Sequence, residues 1–208
     1  SHFYKGLAHC VLGEVDAATV EAAAARELAK RVRHPHEFGF SLLASFLPAM
    51  LAGDVDTAAE YALQSLQYSG AQGFPEFVAM SQVCSGWVAT KRGQLEAGLA
   101  EMEAGAAFWA MTGFEVWQVL FACVIAEANI AAGRLERAQE VLDAHARRLA
   151  AMGEQQFAAP LAWVRAKLYA AQGRHVAAEH SRQLARVVAE EQGARLWLAV
   201  PGALFQFS

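Results

Sequence analysis

The chain is poor in charge, proline and cysteine. Lys, Arg, Asp and Glu make up 18% of its 208 residues, while 55% are hydrophobic. A disordered chain shows the opposite balance, so disorder is excluded as the main state. Five prolines and no Ser/Pro/Gly-rich tract leave no evident linker. The three cysteines, Cys10, Cys84 and Cys123, form no CxxC pair. That excludes a disulfide framework and a zinc ribbon, and a reducing, cytoplasmic setting is expected. The net charge of −4 argues against direct nucleic-acid binding. The longest uncharged run, residues 38–53, contains Pro48 and falls short of the roughly 20 residues a membrane span needs. The sequence opens on Ser-His, without Met or a signal peptide, so it is expected to be a piece of a longer protein.

Catalytic signatures are missing as well. There is no GxxxxGK[ST] phosphate loop, no GxGxxG, no HExxH and no GxSxG. His34 and His36 flank Pro35, as in a surface turn. His175 and His180 stand five apart, which puts them on different faces of a helix. His175 also fills a column otherwise held by Val or Leu, so it is expected to be partly buried. No catalytic residue, metal site or cofactor is expected, and the chain is read as a non-enzyme.

What the sequence does have is a period. Glycines fall at Gly13, Gly53, Gly93, Gly133 and Gly173, forty residues apart, with a second series midway at Gly73, Gly113, Gly153 and Gly193. Five residues after the first series stand Ala18, Ala58, Gly98, Ala138 and Ala178, all small. Seven before it stand Gly6, Phe46, Gly86, Ala126 and Ala166, small in all but one. The segments between glycines carry helical apolar spacing. Each period therefore predicts a helical hairpin, with glycine ending a helix and the small columns marking close crossings. Helices are expected at 3–12 with 15–32, 37–52 with 55–70, 75–91 with 95–111, 115–131 with 135–151, and 156–172 with 175–191. A partial helix follows at 195–206. Phe46 and Pro48 predict a locally bent or splayed helix.

Gly86–Gly93–Gly98 and Ala126–Gly133–Ala138 resemble the tetratricopeptide repeat, stretched from its usual 34 residues to 40. "HPHEFGFSLLASFLPAMLAGD", "GFPEFVAMSQVCSGWVATKRGQLEAGLAEM" and "EEQGARLWLA" resemble the C-terminal repeats of bacterial signalling proteins in which a cyclase or DNA-binding domain joins a STAND-type ATPase. Maltose-activator-like transcription regulators are built similarly. The resemblance implies an all-α, right-handed α-solenoid of about five hairpins, spanning 1–208 as a single domain. It implies a non-catalytic sensor or scaffold in signal transduction or transcription regulation. Its partner would be a protein or peptide segment, or a small inducer.

The first helix of each hairpin lines the concave face in such solenoids. Transferring that spacing gives an apolar row containing Phe40, Leu43, Leu47, Met50, Met80, Val83, Trp87, Leu120 and Trp163, with Glu127 and Lys167 at equivalent places in neighbouring repeats. The row is either a groove for a hydrophobic partner, anchored by the tryptophans, or a self-packed core in which Glu127 and Lys167 pair with each other. A second surface is the C-terminal helix, whose Leu196, Trp197, Val200, Leu204 and Phe205 need cover. The cover could be the parent protein's continuation, a homodimer partner or the chain itself. Self-association is therefore the competing function, and an enzyme with an unrecognised site the weaker one.

Overall fold

The structure is a computed structural model that describes residues 2–115, 117–152 and 155–199. Every regular element among these residues is helical. None of the helices is long and apolar enough to cross a membrane. The chain forms two compact units, Ser1–Phe114 and Glu115–Ser208.

The first unit holds α1 (His2–Leu12), α2 (Val15–Val32), α3 (Pro35–Ala52), α4 (Val55–Gln72), α5 (Pro75–Lys91) and α6 (Leu95–Thr112). Each helix packs on the next, and α3 also touches α1 and α5. The odd-numbered helices thus form a row. The sequence equips them for it: α3 and α5 are apolar nearly all round and bury most of their length, whereas α2 buries little beyond Ala18, Ala22 and Ala29. The second unit holds α7 (Gln118–Ala131), α8 (Leu135–Met152), a 3-10 turn (Gln155–Phe157), α9 (Ala158–Ala171), α10 (His175–Glu191) and the short α11 (Arg195–Ala199). Here α7 packs on both α8 and α9, and α10 lies between α9 and α11.

One turn is used again and again. At Gly53, φ is 71°, its N–H donates to the Met50 carbonyl at 3.1 Å, and the Asp54 N–H donates to Ala49 at 3.0 Å. This is the Schellman closure, in which two otherwise orphaned carbonyls at a helix end are satisfied. Asp54 then caps α4 by accepting from the Thr57 N–H at 3.1 Å. The same pair of backbone bonds recurs at 13, 33, 73, 93, 133, 173 and 193. Wherever this pair forms, the helices on either side are joined by two or three residues; α6–α7 and α8–α9 are five apart. Gly153 lies outside the described residues.

Position 33 breaks the glycine series without breaking the turn. Arg33 takes φ 54° there, a conformation that costs an L-residue roughly 1–2 kcal/mol. Replacing Arg33 with Gly is expected to raise stability by about 1 kcal/mol, read as a higher urea midpoint with an unchanged slope. A lower midpoint would mean that the arginine side chain contributes more than its backbone costs.

The small columns behave as crossings. Ala18, Ala58, Gly98, Ala138 and Ala178 are all buried, and so are Gly6, Gly86, Ala126 and Ala166. Phe46, the exception, is also buried, with its ring edge-on to Trp87 at 5.7 Å. The helix around it runs unbroken through Pro48. Packing on Phe46, Leu47, Ala49 and Met50, all buried, supports a turn that lacks one backbone N–H.

Candidate functional site

The apolar row anticipated from the sequence is core. In the first unit Leu43, Leu47, Met50, Met80, Val83 and Trp87 are each at most 4% exposed, while Phe40 is half-buried. In the second unit Leu120, Glu127 and Trp163 are buried, and the Lys167 side chain keeps 31% of its surface. The Lys167 ammonium pairs with the Glu127 carboxylate across one full repeat, from α9 to α7. The cause lies in the helices themselves. First helices of this length present large apolar side chains both to their hairpin partner and to the neighbouring first helices, so the row is filled from within.

Two residues of the C-terminal face are also buried. Leu196 and Trp197 are buried, and the Trp163 indole N–H donates to the Trp197 carbonyl at 3.0 Å. Val200, Leu204 and Phe205 lie outside the described residues.

A feature absent from the sequence reading is an aromatic ladder in the first unit. Phe3 meets Phe40 at 4.4 Å, Phe40 stacks on Phe77 at 5.6 Å, and Phe77 meets Phe114 edge-on at 5.9 Å. These rings sit 37 positions apart, three short of the repeat. Phe3, Phe40 and Phe77 lie on α1, α3 and α5, where side chains leaning toward the N-terminus can meet one turn out of register; Phe114 follows the end of α6. The phenylalanines at 3, 40, 77 and 114 were the available signal.

The two histidines that flank Pro35 serve structure. His34 caps α3, its Nδ1 accepting from the Glu37 N–H at 3.3 Å, and Pro35 occupies the first helical position. His36 bonds Glu76 at 3.1 Å, again one repeat away. His175, expected to be partly buried, is exposed, as is His180. Val15, Val55, Leu95 and Leu135 hold the same first helical position and are half-buried; the polar imidazole does not share their burial. Among the described residues no group of His, Cys, Asp or Glu could hold a metal ion. All three cysteines are free and buried. Burial pushes the Cys10 thiol up to about 12 and raises Cys84 and Cys123 as well. Burial thus favours the protonated thiol over the thiolate, which is the reactive form.

Two surface clefts in the first unit occupy repeat-equivalent places. One, of about 150 Å³, lies between α2, α3 and α4 and is lined by Thr19, Ala22, Arg26, Ser45, Pro48 and Tyr61 among others. The other, of about 470 Å³, lies between α4 and α5. Its lining includes Asp56, Glu60, Leu63, Ser85, Val88 and Arg92. Arg92 is held at its rim by Asp56, at 2.8 Å. Comparison of the chain with protein-family models, with curated proteins and with solved structures finds no match.

Proposed function

We propose that the chain is a right-handed α-solenoid of tetratricopeptide-like hairpins, serving a cytoplasmic bacterial signalling or transcription-regulatory protein as a non-catalytic docking scaffold. The observation that carries this reading is the recurrence of one helix-ending turn, with one hydrogen-bond pattern, at places a half or a full period apart. A chain built from one repeated unit extends by addition, and such folds offer long recurring surfaces to partners. With the apolar row used as core, docking falls to the clefts between successive hairpins. A partner seated there shifts a regulated domain elsewhere between two states by binding one of them better.

The shape and the role have separate tests. A compact protein of this length has a radius of gyration of about 17 Å. Small-angle scattering should give a clearly larger value, and one near the compact figure overturns the solenoid. In the parent protein, deleting this stretch should abolish the response to the signal while basal output persists. Loss of basal output would place catalysis or folding of the output domain in this stretch instead.

Self-association remains the second reading, favoured by Val176, Leu184 and Val187, which are exposed along α10. A homodimer through α10 would bury them, and sedimentation showing a monomer throughout the micromolar range would exclude it.

A further inference from the structure

A third cleft in the first unit, of about 290 Å³, lies where α2 ends, α3 begins and the later part of α4 passes. No carboxylate lines it, whereas Asp54 lines one of the other two clefts and Asp56 with Glu60 the other. Its polar lining consists of donors: Lys30, Arg33, His34 and Tyr68. The Arg33 guanidinium and the Tyr68 hydroxyl make no hydrogen bond or ion pair among the described residues. The Nδ1 of His34 is taken up by the Glu37 N–H, so the proton of the neutral ring sits on Nε2, a further donor. Lys30 is held by Glu27 at 2.8 Å, an exposed pair of the kind that contributes little. Phe38 and Tyr68 meet edge-on at 4.8 Å and, with Ala29 and Pro35, give the cleft an apolar wall. Arg33 stands there at a cost. Seven sibling turns place glycine in the left-handed position, and this one alone among them places a side chain there, at φ 54°. Strain of this kind is kept where a side chain has work to do.

We propose that this cleft receives a carboxylate from an acidic segment of a partner protein, with Arg33 as its principal ligand. The proposal rests on the scaffold reading and names its partner chemistry. Charge complementarity carries it. Residues 26–36 hold Arg26, Lys30, Arg31 and Arg33 against Glu27 alone, in a chain whose net charge is −4. Glu27 and Glu37 flank the region, and neither lines the cleft. A guanidinium offers a planar fork that matches a carboxylate, and its charge-assisted bonds are stronger than those between neutral groups. The Tyr68 hydroxyl and the His34 Nε2–H add neutral donors in the same cleft. The apolar wall suits the carbon chain that carries an acidic group and an apolar neighbour in the same segment, as in most ligand sites with a few placed polar groups. A bare phosphate would leave that wall unused. A nucleic acid is disfavoured because the chain outside residues 26–36 is acidic on balance, and a long polyanion would be repelled there.

The probe is the peptide acetyl-Ala-Glu-Phe-Glu-Ala amide, titrated into the intact chain and followed by backbone amide NMR. Saturable shifts are expected at His34, Phe38 and Tyr68. The counterpart with glutamine in place of both glutamates, alike in shape but uncharged, should bind at least tenfold more weakly. Arg33→Gly should lose at least tenfold in affinity while the urea midpoint stays or rises, because glycine makes the same turn at the seven sibling positions. Arg33→Gln keeps a side chain on the strained backbone and should lose as much, which separates the charge from the turn. Inorganic phosphate and oligouridylate are the competing anions, and each should leave these amides unmoved at concentrations where the peptide saturates. The proposal is overturned if the peptide gives no saturable shift at His34 and Tyr68, if the glutamine peptide binds as tightly, or if either Arg33 variant binds like the wild type. It is overturned likewise if phosphate or the oligonucleotide binds at these amides more tightly than the peptide. Each of these results leaves the scaffold reading standing, because that reading is decided by scattering and by the parent protein's output.

Discussion

Gly98→Val is expected to cost more than about 3 kcal/mol and to unfold the first unit well before the second. The backbones of α5 and α6 touch at this point. A Cβ at Gly98 would stand 2.5 Å from the Gly86 carbonyl oxygen, and one at Gly86 would stand 2.5 Å from the Gly98 oxygen. A third contact, at Gly105, would bring a Cβ to 3.0 Å from the Ala79 oxygen. These obstacles are backbone atoms, so no rotamer change relieves them and the helices must separate. Separation would loosen Met102, Val83 and Trp87, all buried around the crossing. Overpacking a core by a methyl or two typically costs 1–3 kcal/mol where side chains can yield; here they cannot. Gly98→Ala should show the same direction with a smaller loss. The check is urea unfolding followed by tryptophan fluorescence, with Trp87 and Trp109 reporting the first unit and Trp163 and Trp197 the second. A Gly98→Val protein whose first unit unfolds at the wild-type midpoint would mean that α5 and α6 do not approach as described.

That crossing was legible in the sequence, since Gly86 and Gly98 stand in the two small columns. So were the helix ends, because a residue in the left-handed region is needed at each turn and glycine marks it. Legibility failed where chemistry departed from the series. Arg33 makes the turn without the glycine that would announce it. The stretch His34–Pro35–His36 looked like a loop but begins α3, because proline is well placed in a first helical turn. α7 starts at Gln118, later than its pattern suggested, after Trp117 takes φ 65°. The site was harder. A forty-residue period aligns columns but does not say which column meets a neighbour. The same apolar row could be groove or core until helix length and side-chain volume were set in three dimensions.

The second large effect concerns the ion pair that links repeats in the second unit. Lys167→Ala is expected to destabilise that unit by about 2–3 kcal/mol, less than breaking a fully buried pair costs, because the Lys167 side chain keeps 31% exposure. The loss is not the pair's own worth. Glu127 is 8% exposed by its side chain, and without the ammonium its carboxylate stays in the core having lost one charge-assisted bond. That distinction can be measured. Glu127→Gln should cost less than Lys167→Ala, since a neutral amide is left instead of a charge. Replacing both residues, Glu127→Leu with Lys167→Met, should restore most of the stability lost in Lys167→Ala, as apolar replacement of a buried pair often does. Urea midpoints read from Trp163 and Trp197 fluorescence give all three values. Restoration would mark the pair as a device that fixes the register of α9 on α7. If the double variant is as unstable as Lys167→Ala, the pair itself contributes the stability, through geometry that an apolar filling cannot match.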